Sequence, residues 1–298
     1  MIIANPIYDV VFKYLLEDIE IARGLLSTII GEEIEELTVQ PQEISIRKVQ
    51  TEAVIRIIRL DFKAVIKTIT GEKKIVLIEL QKARKLFDIM RFREYLGENY
   101  KKGENIVNEK GEKETNPLPI ITIYFLGFKL EYITTAVIKV NRVYTDADTG
   151  EPIENAQKEH FIENLTHDSY TIQIPFLGNE VNTVLQKVLR VFNQKFKINT
   201  DRRKLDFQED NDNPLVQKIL DRLNRAITSQ EILNEMKAED EVEKFFGKIE
   251  LKLEKANIRA KKNKEEADRN KEEAKKNREE ADALRKELEE LKKAMKRK

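Results

Sequence analysis

Two apolar runs joined by a glycine turn constrain this chain more than any other feature. The first, Ala53 to Ile69, is mostly β-branched and apolar, which suits a pleated, half-buried surface. The second is Lys74-Ile75-Val76-Leu77-Ile78-Glu79-Leu80-Gln81. Thr70-Gly71-Glu72-Lys73 between them reads as a hairpin turn. Each run carries an acid where a soluble protein normally avoids one: Asp61 in the first and Glu79 in the second, with 17 residues between them. If the runs pair around Gly71, the two carboxylates converge at one edge of the sheet. Side chains alternate along a strand, so Glu79 and Gln81 share a face, roughly 7 Å apart.

Two buried carboxylates side by side repel and resist ionising. A hard divalent cation removes that conflict. Mg²⁺ takes oxygen ligands at about 2.0–2.1 Å, often one or two carboxylates plus water and substrate phosphate. Asp61 and Glu79 are therefore candidate ligands for Mg²⁺ or Mn²⁺, which can activate water and stabilise charge on a phosphate during hydrolysis. Gln81 would orient water or bind phosphate, and Lys82 or Lys63 would add positive charge. The plainer alternative is a pair of edge-strand acids facing solvent and paired with lysines.

The rest of the first 200 residues alternates helical and strand-like patterns. Apolar residues recur at helical spacing over 5–30, with Pro6 near the start and Gly31 at the end. An extended segment covers 36–50, a helix 84–102, and a polar loop 103–116. Strands are expected at 119–128, 132–144 and 169–176, and an amphipathic helix at 180–196. A strand at 119–128 placed parallel to the hairpin, with helix 84–102 as the crossover, makes the fold class α/β. The only histidines, His160 and His167, read as ordinary surface residues.

At the two acids the chain resembles the PD-(D/E)XK nuclease superfamily, in which an acid on one strand and an acid-x-lysine on the next bind the catalytic metal. It is most similar to the PD-(D/E)XK nuclease family transposases, also called recombination-promoting nucleases, which carry glutamine in place of the lysine, as in Glu79-Leu80-Gln81. Tyr8-Asp9-Val10-Val11-Phe12-Lys13-Tyr14-Leu15-Leu16 resembles that group's opening helix. Met90-Arg91-Phe92-Arg93-Glu94-Tyr95 resembles its arginine- and tyrosine-bearing helix, and Pro117 to Phe125 its next core strand. The resemblance covers about residues 5–200. It implies a restriction-endonuclease-like mixed sheet flanked by helices, and an endonuclease acting on DNA, with RNA as the alternative substrate. Asp61 and Glu79 would bind metal, Gln81 and Lys82 would assist catalysis, and Lys63, Arg91, Arg93 and Tyr95 would contact the nucleic acid. Two departures stand out. Leu60, not proline, precedes Asp61, and Gln81 cannot carry charge. The second keeps another reading open: a catalytically degenerate nuclease-fold scaffold that binds partners through its tail.

Charge and the tail complete the sequence reading. Net charge is zero, yet residues 56–102 hold 13 basic and 6 acidic side chains, which suits a phosphate backbone if they do not merely solvate turns. Residues 1–200 read as the nuclease-like domain, 201–213 as a polar linker, and 214–298 as helical. From about 249 to 298 a heptad is explicit. One seam position carries Leu253, Ala260, Ala267, Ala274, Ala281, Leu288 and Met295; the other carries Ile249, Ala256, Asn263, Asn270, Asn277, Leu284 and Leu291. That period predicts a coiled coil and a homodimer, against a single charged helix as the alternative. There is no cysteine, so no disulfide and no thiolate zinc site. No run of about 18 apolar residues and no secretory signal occurs, so the expectation is a cytoplasmic protein with no membrane partner.

Overall fold

The computed structural model describes residues 1–39, 61–81, 88–101, 103–107, 111–153, 159–179, 181–207 and 213–295. The chain divides into two units, Met1–Glu239 and Asp240–Lys298.

The first unit opens with strand β1 (Ile2–Ala4), helix α1 (Asp9–Leu16) and helix α2 (Ile19–Ile30). The sequence reads as one helix from 5 to 30, but Asp18 divides it. Its carboxylate accepts from the Glu20 and Ile21 amides and so caps α2. Gly31 closes α2 at φ 76°, a left-handed geometry that suits glycine. Strands β2 (Ile34–Val39), β3 (Asp61–Thr68) and β4 (Lys73–Gln81) follow. They form an antiparallel meander, with Gly71 at φ 87° in the β3–β4 turn, as the turn residues predict. Residues 40–60, which carry the rest of the 36–50 and 53–69 readings, lie outside the described residues.

Helix α3 (Asp88–Tyr100) comes next, then β5 (Gly103–Val107) and β6 (Lys113–Pro117), which pair as a hairpin where a loop is expected. Strand β7 (Ile120–Leu126) lies parallel to β4, so α3 belongs to a crossover, as expected. Strand β8 (Val137–Val140), helix α4 (His160–Leu165) and strand β9 (His167–Gln173) complete a six-stranded mixed sheet of order β2-β3-β4-β7-β9-β8. The unit is therefore α/β.

Among the described residues the two faces of this sheet carry clusters of unequal size. Ala64, Ile66, Val76, Ile78, Ile123 and Phe125 enter a large core shared with α1, α2, α5 (Val184–Leu189), α6 (Pro214–Thr228) and the start of α7 (Gln230–Met295). Residues of opposite parity form a much smaller cluster, Ile75, Leu77 and Ile120 under Phe92 of α3.

Residues 201–207 correct the linker reading over that stretch, and 208–212 lie outside the described residues. Strand β11 (Asp201–Asp206) lies between β1 and β10 (Lys197–Ile198) in a second, antiparallel sheet. Leu205 and Phe207 are buried in the main core, along with Ile219 and Leu223 of α6 and Met236 of α7. The folded core thus runs to Glu239 and does not stop at 200. The strand was hard to read because Asp201-Arg202-Arg203-Lys204 is charged; only Leu205 and Phe207 mark the buried side.

The second unit is helix α7 from Asp240 onward. Its surface is largely charged, with Lys275–Glu279 and Arg285–Asp282 ion pairs along the helix, but Ile249, Leu284 and Leu288 are also exposed. Among the described residues no helix is long and apolar enough to cross a membrane.

Candidate functional site

The β3–β4 register places Asp61 directly opposite Glu79. Opposite positions of an antiparallel ladder share a face, with Cβ atoms about 4.5–5.5 Å apart. Register continues across the sheet: Glu79 lies beside Tyr124 of β7, and Tyr124 beside Thr171 of β9. Positions 61, 79, 124 and 171 therefore form one row across four strands. For Asp61, Glu79 and Gln81 the structure describes backbone placement only. Gln81 lies two residues beyond Glu79, beside Leu126. Both are near the carboxyl end of β4, where ligands of open α/β sheets commonly bind.

Parity fixes the face. Ile75 and Leu77 of β4 pack under α3, and Glu79 has the same parity. The acid row thus lies on the α3 side of the sheet. The Phe92 ring sits against the Tyr124 ring, with centroids 4.6 Å apart. Tyr124 is the register neighbour of Glu79, so α3 is anchored beside the acid row. Arg93 follows Phe92 and is exposed. Arg91 and Tyr95 are positions of the same helix. Lys63, half-buried, lies opposite Leu77 on the acid-row face, two residues from Asp61. Lys82 lies outside the described residues.

The basic segment is less free than its composition suggests. Lys74 bonds Glu32 at 2.6 Å and Glu72 at 3.2 Å. Burial pushes its pKa down, but these two carboxylates outweigh that and raise it. Lys67 pairs with Glu35 and Glu36, and Lys101 with Glu98. These lysines brace β2, β3 and the end of α3. Lys63 lies on the acid-row face, and Arg93 is exposed on α3 next to Phe92.

One polar cluster was not legible in the sequence. At the start of β9, the Nδ1 of His167 lies 2.8 Å from the Tyr100 hydroxyl. Arg142 donates to Asp168 at 2.7 Å and pairs with Glu163 at 2.6 Å. The Tyr144 hydroxyl donates to the same Glu163 at 2.8 Å. Burial lowers the His167 pKa; the Arg142 charge adds to this and Asp168 opposes it. His160 is exposed, as expected, but His167 is half-buried and hydrogen-bonded, which corrects the surface reading. Tyr100 and His167 are 67 residues apart, so no local pattern links them. His167 lies beside Ile120, four residues from the Tyr124 row, or about 13 Å along the strands. It is a separate feature from the acid row.

Among the described residues no group of three or more His, Asp or Glu side chains could hold a metal. A cavity of about 460 Å³ between β8 and α5 has no acid in its lining, so it is not a metal site either. What fits a hard cation is the donor chemistry of positions 61 and 79: two carboxylates from directly opposed residues, with no thiolate anywhere in the chain. No family model, curated protein or solved structure matches this chain.

Proposed function

We propose that the chain is a metal-dependent endonuclease of the PD-(D/E)XK, recombination-promoting type. It hydrolyses phosphodiester bonds of DNA in the cytoplasm, with Asp61 and Glu79 as the ligands of Mg²⁺ or Mn²⁺. The observation that carries this reading is the Asp61–Glu79 register on the side of the sheet covered by α3. The order of elements supports it too: an antiparallel meander, a helix, then a strand parallel to the last of the meander.

The roles follow from placement. Asp61 and Glu79 hold the cation from adjacent strands. When bound, the metal supplies activation of water and stabilisation of charge on the scissile phosphate. Gln81, on the Glu79 face, orients the attacking water or the phosphate through its amide. Lys63 and Lys82 offset the charge of the non-bridging phosphate oxygens. Arg93 and Arg91 of α3 bind the backbone on either side of the phosphate, and Tyr95 braces them. Net neutrality and the engaged lysines make binding rest on a few local cations, so affinity should fall only shallowly with salt, with a slope set by those few phosphate contacts.

The test is nicking of supercoiled plasmid by purified protein in Mg²⁺, Mn²⁺ or EDTA, with Asp61→Ala and Glu79→Ala in parallel and a folded RNA as a second substrate. Metal-dependent nicking lost in both variants supports the reading. Cleavage of RNA alone changes the substrate and leaves the site standing. No cleavage of either favours a degenerate scaffold, the reading that the uncharged Gln81 supports.

A further inference from the structure

Helix α7 presents an apolar seam that nothing in its own unit covers. Leu284 is 61% exposed and Leu288 52%. Ile249, at the other end of the same seam, is 37% exposed. Between them the seam alternates alanine (260, 267, 274, 281) with asparagine (263, 270, 277). The helix runs through this stretch without a break, so the seven-residue spacing is realised in space.

The residues flanking the seam say what covers it. Before each seam alanine stands an acid: Glu266, Glu273 and Glu280. After each seam asparagine, and after Leu284, stands a base: Lys264, Lys271, Arg278 and Arg285. In coiled-coil terms the acids fill the g positions and the bases fill the e positions. In a parallel, in-register pair, g of one chain faces e of the next heptad in the other. Glu266 then meets Lys271, Glu273 meets Arg278, and Glu280 meets Arg285, each contact occurring twice by symmetry. In an antiparallel pair g faces g and e faces e, so every one of these contacts joins like charges.

We propose that residues 249–295 of two copies of this chain join as a parallel, in-register coiled coil. The charge ladder selects orientation and the terminal apolar residues select register. A slip of one heptad keeps most of the ladder, because the middle heptads are nearly identical. It moves Leu284 from its own counterpart to Asn277 or Leu291, and Leu288 to Ala281 or Met295, breaking the leucine layers. The alanine and asparagine middle buries little, so orientation depends on the charges more than in a leucine-rich zipper. This proposal does not depend on the nuclease reading, and either can fail alone.

The chain has no cysteine, which makes site-specific cross-linking clean. Ala267→Cys and Ala281→Cys, prepared separately in the full chain, should each form a disulfide-linked dimer in high yield under mild oxidation. The two positions lie about 21 Å apart along the helix at 1.5 Å per residue. An antiparallel pair can bring like positions together only at its centre, so it could cross-link one variant and not both. In a second arm, Glu273→Lys/Glu280→Lys and Arg278→Glu/Arg285→Glu should each lose self-association roughly tenfold, since four attractive contacts become repulsive. Mixing the two variants restores every contact and should restore a heterodimer. Circular dichroism of each variant checks that the helix persists. A monomer by sedimentation at tens of micromolar, cross-linking at one position only, or no rescue on mixing would overturn the proposal.

Discussion

Removing the Glu239 carboxylate should weaken the first unit measurably, although Glu239 is 230 residues from the helix it serves. Helix α1 starts at Asp9, and Tyr8, its N-cap residue, makes no side-chain cap bond. The first two helical amides instead donate to Glu239: Asp9 N to Oε2 at 3.1 Å and Val10 N to Oε1 at 2.9 Å. Glu239 is only 9% exposed, and Met236, one turn earlier, is fully buried. An N-cap loss alone costs about 0.5–2 kcal/mol, and hydrogen bonds to charged groups are worth about 1.5–3 kcal/mol. These terms overlap, so Glu239→Ala should cost about 2–3 kcal/mol. Glu239→Gln keeps one acceptor and should cost about half as much. For a unit of this size, about 2–4 °C accompanies each kcal/mol, so Ala should lower Tm by roughly 4–12 °C. Urea unfolding followed by circular dichroism is the assay, with the midpoint falling at unchanged slope. An alanine variant within about 0.5 kcal/mol of the parent, or glutamine as damaging as alanine, would refute the capping argument.

Three further outcomes are expected. Phe92→Ala removes the ring that seats α3 on Ile75, Leu77 and Tyr124; it should cost about 3–4 kcal/mol by urea unfolding, and unchanged stability would mean α3 is not held there. Mn²⁺ at about 100 times its Kd should stabilise the parent by about 2.7 kcal/mol in thermal melts, with EDTA reversing the shift; the same gain in Asp61→Asn would remove Asp61 from the ligand set. Burial holds the His167 pKa below 6.5 in the folded state, so the unfolded chain binds the proton more readily. His167 therefore contributes stability fully above pH 6.5, and that contribution is lost as pH falls below it. Comparing urea midpoints at pH 7.5 and 5.5 should show a drop that His167→Gln reduces, and an equal drop in both proteins would count against it.

The local parts of this fold were legible in the sequence and the closures were not. The β3–β4 hairpin followed from apolar alternation around Gly71, and its register follows from turn length. The parallel neighbour β7 followed from an intervening helix. The acid row was legible because Asp61 and Glu79 interrupt apolar runs. The break at Asp18 could have been read, since an aspartate before Ile19-Glu20-Ile21 is a good N-cap. The β5–β6 hairpin was missed because Lys113-Glu114-Thr115-Asn116-Pro117 has no apolar face, as its exposure bears out. Strand β11 and the Arg142–Glu163–Asp168 cluster escaped for a different reason: their partners are remote in sequence, and charge alone does not say with what it pairs.

The pairing of β1 with β11 also sets the order in which the molecule can be assembled. Ile2 lies opposite Asp206, and the Asn5 amide donates to the Arg203 carbonyl at 2.8 Å. At a synthesis rate of about 5–20 residues per second, the first strand waits on the order of 10–40 s for its partner to be made. Throughout that interval Ile3 and the apolar side of α1 have none of the surface contributed by β11 and α6 to bury against. The nascent chain is therefore exposed to capture by chaperones or by other chains for most of its synthesis. A truncation before residue 201 should be insoluble and not merely shorter.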